Sequence, residues 1–394
     1  MFFNRHFRKL IALPFFAASL STHAADHIDF PDGLNITFPE KDLADLYAWV
    51  PKRAKNKIIL AMNLHALADE STQFSSDNVE YRFRLRPVTF NSTSTTSIRV
   101  PQLVDGAEET TISCTVIQNT ASCSTGNFSD DAWVNNFYER FKRRKALQVF
   151  AGTVRDPFTV DLTWAETSII QTTPLFDPTA VSGYLGPVPL AEPSNALEGS
   201  GALNITVALD KRKVLGNTYS HYAVAGEVVV DGVVFDRMGR PEISNFVVRS
   251  PELKPMYNAA DTFALTPTEE ATFRALFAAG ISGWDRLDLK TDWNENNTTA
   301  LIDSFLLDAL VMNVAQYCQD TAPFFSIERA AGPLNHLFDE SCGGRKPSDD
   351  VVDSVTSLLV AGPYALTHLY GDGVDGARKT RRSWPPFAPL TPHW

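Results

Sequence analysis

Tyr81-Arg82-Phe83-Arg84-Leu85-Arg86 alternates apolar and charged side chains without a break. Successive side chains on a strand point to opposite faces. The spacing therefore predicts Tyr81, Phe83 and Leu85 on a buried face and Arg82, Arg84 and Arg86 on the other. This is the pattern of a half-buried antiparallel strand, and the surrounding chain reads the same way. Leu203-Asn204-Ile205-Thr206-Val207-Ala208-Leu209 alternates again. Val228-Val229-Val230-Asp231-Gly232-Val233-Val234-Phe235 predicts a hairpin, because Asp-Gly supplies the positive φ values of a type I′ turn. Residues 58–64, 97–100 and 110–116 add short strands, and residues 147–150 and 158–162 flank a turn at 153–157. Residues 42–49 open either as one helical turn or as a strand. One helix is expected among these strands. Ser129 or Asp130 caps it, Trp133 or Val134, Phe137, Tyr138 and Phe141 line one side, and the basic run Lys142-Arg143-Arg144-Lys145 complements its C-terminal dipole.

The period changes from residue 251. Thr266-Pro267-Thr268-Glu269 is a capping box with proline at the first helical position. Phe273, Leu276 and Phe277 follow at helical spacing, and Gly280 is read as the stop. Residues 301–314 and 349–360 predict two more helices, the last ended by Gly362-Pro363. The fold class is mainly β, antiparallel and β-sandwich-like, with a helical C-terminal third; α+β overall. Residues 1–24 form a signal peptide and 25–394 a single domain. Its parts are a β-rich core (40–250), a helical region (251–362) and an irregular tail rich in aromatics and proline (363–394). That tail is expected to lie packed on the body. Residues 174–201, rich in Pro, Gly and Ser, are the one candidate internal boundary.

The signal reading rests on Arg5, Arg8 and Lys9, an apolar run over residues 10–20, and small residues at Ala24-Ala25. It implies an exported chain, periplasmic or extracellular, with no membrane span after cleavage. Formal charge is −11, and removing three basic residues leaves −11 − 3 = −14. Such a balance argues against nucleic acid and anionic membrane surfaces as partners. Four cysteines in an exported chain are expected to be oxidised. Three connectivities are possible, and the local one joins Cys114 to Cys123 and Cys318 to Cys342. A zinc site is the competing reading, but no CxxC or paired-His spacing supports it.

Four ordered segments carry a resemblance. They are Asp42-Leu43-Ala44-Asp45-Leu46-Tyr47-Ala48-Trp49; Phe150-Ala151-Gly152-Thr153-Val154-Arg155-Asp156-Pro157-Phe158; Arg237-Met238-Gly239-Arg240-Pro241; and Gly343-Gly344-Arg345 followed by Asp349-Asp350-Val351-Val352-Asp353. With Asp26-His27 near the start and the proline-rich aromatic end, the chain resembles the exported bacterial family known as domain of unknown function 4331. The resemblance implies export and a shared architecture. It implies no activity. Residues 254–339 and both cysteine pairs have no counterpart in it.

Candidate chemistry is sparse. Asp26, His27, Asp29, Asp32, Asp42 and Asp45 form an acidic set suited to Ca²⁺, which takes several oxygens in flexible geometry. Alternatively, Asp42 and Asp45 cap amides and pair with Arg155 or Arg237. Cleavage after Ala24 would leave Ala25-Asp26-His27, whose amine, two amides and imidazole suit Cu²⁺ or Ni²⁺; a histidine bonded within the fold is the alternative. Asp292, Asn294 and Asn296, with Asp303 in twelfth place, match part of an EF-hand loop, against a plain polar loop before a helix. Arg155 and Asp156 make either a binding loop or a structural ion pair, and Arg237 and Arg240 belong to the same structural or binding set. Nucleophile elbow, zinc-protease, P-loop and dinucleotide motifs are all missing from the sequence. The leading expectation is a non-enzymatic exported binding or scaffold protein, with Ca²⁺ as a stabilising cation. The alternatives are a secreted hydrolase using loop carboxylates, and Cu or Ni handling through the mature N-terminus.

Overall fold

The computed structural model describes residues 39–75, 78–91, 96–172, 189–248, 250, 252–318, 325–331, 342–365, 369–376, 381 and 383–390. Its strands, in chain order, are β1 (Leu43–Trp49), β2 (Lys57–Ala68), β3 (Val79–Asn91), β4 (Val100–Leu103), β5 (Thr110–Ile117) and β6 (Thr120–Thr125). They continue with β7 (Phe128–Trp133), β8 (Leu147–Arg155), β9 (Gly201–Asp210), β10 (His221–Val230), β11 (Val233–Met238) and β12 (Leu310–Asn313). The helices are α1 (Leu162–Gln171), α2 (Lys211–Val214), α3 (Lys254–Ala259), α4 (Pro267–Asp285), α5 (Glu295–Leu306) and α6 (Val351–Ala361).

Two antiparallel sheets result. One runs β1-β2-β9-β8; the other runs β11-β10-β3-β5-β6-β7, with β4 on β3 and β12 on β10. Their facing sides share one core. Leu46, Leu60, Met62 and Val207 of the first sheet cluster with Tyr81, Phe83, Ile112 and Val228 of the second. At Gly226 an added Cβ would sit 3.2 Å from the Leu46 side chain, which shows how closely the sheets approach there. A second apolar layer backs the four-stranded sheet. Tyr47, Trp49, Phe150 and Val154 meet Cys318, Cys342, Trp384 and Phe387. With both faces covered, β1 and nearly all of β2 are buried without alternation, as is usual for strands enclosed on two sides.

The β3 alternation appears as read: Tyr81, Phe83 and Leu85 are buried and Arg82, Arg84 and Arg86 half-buried. Asp231 (φ 51°) and Gly232 (φ 83°) make the tight β10–β11 turn, with Val230 opposite Val233. Residues 42–49 form the strand β1, not a helical turn. Both local disulfides are present, Cys114–Cys123 between directly opposed residues of β5 and β6, and Cys318–Cys342. The tail packs on the body, with the Arg155 amide donating to the Ala388 carbonyl and Phe387 against Tyr47 at 5.7 Å.

Several expectations are corrected. Residues 129–145 are not a helix. β7 pairs with β6, and Asn135 at φ 62° turns the chain. Lys145 therefore meets Asp130 instead of ending a helix. Residues 147–155 are one strand, and 158–162 lead into α1, where Asp161 accepts from the Trp164 amide. Residues 310–313 leave the predicted helix to add β12 to β10. Gly280 does not stop α4, which runs on to Asp285. The Thr266 capping box forms as expected.

Candidate functional site

The outer face of the eight-stranded sheet is covered at one end. There Ala223, Ala225, Phe263, Ala309 and Val311 form a separate apolar cluster. The other end is uncovered among the described residues, with Ser122, Ser124, Ser129 and Trp133 exposed. At the boundary β3 presents Glu80, Arg82 and Arg84 outward, because their neighbours Tyr81, Phe83 and Leu85 point to the core. Register places Glu227 of β10 and Ser113 of β5 on either side of Arg82, and Thr111 beside Arg84. The result is a cleft of about 480 Å³ lined by Glu80, Arg82, Arg84, Glu109, Glu227 and Asp261, with Thr111, Ser113 and Val234.

Arg84 organises the cleft. Its Nε and Nη2 donate to both oxygens of Glu109 at 2.7 and 2.9 Å, and Nη1 donates to Glu227 at 2.6 Å and Asp261 at 2.9 Å. The Phe263 ring lies 4.9 Å from the guanidinium carbon. Burial opposes the Arg84 charge, but its hydrogen bonds to Glu109 and Glu227 outweigh that and hold it firmly protonated. Arg82 donates to Glu80 at 2.6 Å, which keeps the Glu80 carboxyl below its ordinary range. Four carboxylates against two guanidiniums leave the lining net negative.

Beyond the cleft the open face is rich in hydroxyls. Ser113 pairs with Ser124, Thr115 with Ser122, and Ser124 with Ser129 across β5, β6 and β7. At its far end Trp133 is 67% exposed, opposite Thr120, which in turn faces Ile117.

The residues singled out from sequence serve mainly elsewhere. Asp26, His27 and Asp29 lie outside the described residues, as does the whole proposed N-terminal copper site. Asp45 faces neither Arg155 nor Arg237. Its Oδ1 lies 2.7 Å from Nη1 of Arg345, with both side chains almost wholly enclosed. Arg345 also sits 4.4 Å from the Tyr47 ring centre and exchanges backbone hydrogen bonds with Ala48. Burial, with Asp45 adding to it, pushes the Tyr47 hydroxyl well above its ordinary pKa. Asp42 is buried, and its carbonyl accepts from the His65 amide. Asp156 is buried and accepts from the Phe158 amide, whereas Arg155 is exposed. Arg237 donates to the Tyr257 carbonyl and Thr262, and Arg240 to the Ser304 carbonyl and Glu328.

The EF-hand-like spacing does not assemble as a cation loop. Asn294 caps α5 by accepting from the Asn297 amide, Asn296 is an exposed first-turn residue, and Asp303 pairs with Arg274 at 2.6 Å. The Asp292 amide donates to Asp285. Among the described residues no group of three or more His, Cys, Asp or Glu side chains is arranged to hold a metal ion.

What sequence reading missed is the cleft and Trp133. The arginine face of β3 is visible in the sequence, but the carboxylate partners of Arg84 come from the turn before β5, from β10 and from the loop after α3. The helical spacing puts Trp133 or Val134 on the lined side of a helix that does not form. No family model matches the chain, and no curated protein or solved structure matches it.

Proposed function

We propose that this is an exported, non-enzymatic binding or scaffold protein that acts through the open outer face of its eight-stranded sheet. The Arg84 cleft carries the reading. It holds charged side chains in place at the surface, beside a hydroxyl face that nothing among the described residues covers. Fixed polar groups around a concavity are what a binding site needs to impose orientation on a ligand. Export is supported by the two disulfides, which suit an oxidising compartment. No helix among the described residues is long and apolar enough to cross a membrane.

A secreted hydrolase remains the rival, and Asp372 is its best candidate. Burial, with Asp353 and Asp161 nearby, pushes its carboxyl up to about 7, which suits a general acid. Yet Asp372 is fully enclosed, and its two oxygens accept from the Asp161 and Val374 amides. Those bonds make it a tie between loops. The membership in domain of unknown function 4331 suggested by the four segments is proposed alongside. Its support here is that Asp45, Tyr47 and Phe158, from two of those segments, gather around Arg345 of a third.

The test is retention of the purified chain by a whole cell-envelope fraction. The native chain is expected to be retained, and Ser124→Arg, which crowds the open face without touching the core, is expected to release it. Equal retention of both, or none of either, overturns the reading. Turnover of model esters or glycosides would favour the hydrolase.

A further inference from the structure

We propose that this face binds a neutral saccharide chain, with Trp133 as a stacking platform and the Arg84 cleft as the polar anchor. The inference rests on the outer face being the binding surface and names its occupant. The centre of the face offers no backbone groups, since β3, β5 and β6 are each paired on both sides. A peptide cannot add there as a further strand, because that mode needs an unpaired edge. Over β3, β5 and β6 recognition must therefore come from side chains.

Those side chains match the two surfaces of a pyranose. A sugar ring has an apolar C–H face and an edge of hydroxyls. Trp133 offers a broad, exposed aromatic ring at the end of the sheet, and Ile117 adds apolar surface two strands away. Ser122 and Ser124 lie exposed in the plane between, each able to donate and accept. In the cleft the carboxylates held by Arg82 and Arg84 can accept from neighbouring sugar hydroxyls, and the guanidinium N–H groups those pairs leave over can donate.

Length and charge narrow the class. Thr111 and Ile117 are six residues apart on β5, which spans about 20 Å at about 3.3 Å per residue. Thr111 lines the cleft and Ile117 lies toward Trp133, so the face suits an oligosaccharide stretch and is too long for one sugar. The cleft carries more carboxylates than guanidiniums and the chain is acidic in net charge. Like charges across an interface are costly, which disfavours uronate and sulfated polymers. The carboxylates of the cleft are already paired with Arg82 and Arg84, which leaves a cationic polymer little to answer, so neutral ones fit best.

The full-length chain should be titrated by calorimetry and tryptophan fluorescence with hexasaccharides of glucose, N-acetylglucosamine and mannose, and sedimented with the corresponding insoluble polymers. At least one neutral probe is expected to bind and to perturb fluorescence. Trp133→Ala should weaken binding at least tenfold, and Ser124→Arg should abolish it. Leu289→Ala, which removes an exposed apolar side chain of the helical region, should leave binding unchanged. Unaltered circular dichroism and Tm in Trp133→Ala would confirm that the loss is not unfolding. Binding to none of the neutral probes, binding indifferent to Trp133, or binding confined to alginate or heparin overturns the proposal. If envelope retention remains sensitive to Ser124→Arg while every saccharide fails, the occupant is wrong and the binding face stands. If both fail, both fall.

Discussion

At Arg345 a guanidinium with 1% of its side chain exposed lies against the carboxylate of Asp45, which has none exposed. Burial penalises the Arg345 charge, and Asp45, with Tyr47 and Glu242 adding to it, more than offsets that, so the arginine is held protonated. Removing one partner of such a pair strands the other charge, at a cost of about 3–5 kcal/mol, whereas replacing both can be nearly neutral. Asp45→Asn and Arg345→Met should each destabilise by that amount in urea titrations, and the double variant by clearly less than their sum. Asp285 gives a pH signature. Burial, with Asp292 and Asp288 adding to it, lifts its carboxyl from 3.8 to about 6, against the pull of the Asp292 and Trp293 amides. The folded chain therefore keeps a proton that the unfolded chain releases. Its stabilising contribution is full below pH 3.8, declines as pH rises to about 6, and is flat beyond. Asp285→Asn keeps the Oδ1 acceptor for both amides and cannot ionise. It should raise Tm at pH 7 more than at pH 4 in calorimetric scans. Sequence showed that these residues were charged. It could not show which charges meet, because 300 residues separate Asp45 from Arg345.

Among the elements, local chemistry was legible and partnership was not. The β3 alternation, the Asp231-Gly232 turn and the Thr266 capping box were all read correctly, because each depends on neighbours within a few residues. β7 was misread because Phe137 and Phe141 do recur at helical spacing. Pairing with β6 overrides that spacing and sends Asp130 inward to accept from the Val149 amide. Gly280 was misread for a similar reason. A glycine inside a helix ordinarily costs about 1 kcal/mol relative to alanine. Here a Cβ would lie 2.7 Å from the Val247 carbonyl oxygen and 2.9 Å from the Val247 Cα, in the π-helical segment Ile243–Val248. That backbone cannot step aside cheaply. Gly280→Ala should therefore destabilise by roughly 1–3 kcal/mol, the usual range for overpacking, where propensity alone predicts a gain. Equilibrium unfolding of the variant decides the sign.

For the whole molecule, the tail is part of the body. Trp384 and Phe387 close the outer layer over Tyr47 and Phe150, and the Ala388 carbonyl accepts from Arg155 at the end of β8. A chain ending before Ser383 loses both aromatics, each contributing about 1.5–3 kcal/mol by burial, so its unfolding free energy should fall by about 3–6 kcal/mol. It should also bind a hydrophobic dye more strongly, since Tyr47, Trp49 and Phe150 are uncovered. The outer face of the other sheet should be unaffected, so binding there should persist at temperatures where the shortened chain is folded. The sequence by itself determined the mainly β class, the helical last third and the tight turns. All of these follow from side-chain period and short-range backbone preference. Only the tertiary structure decided that Asp45 answers Arg345, that Trp133 faces outward, and that Arg84 gathers three carboxylates into a cleft. Strand order sets each of these, and strand order depends on which distant surfaces bury each other, which no local period records.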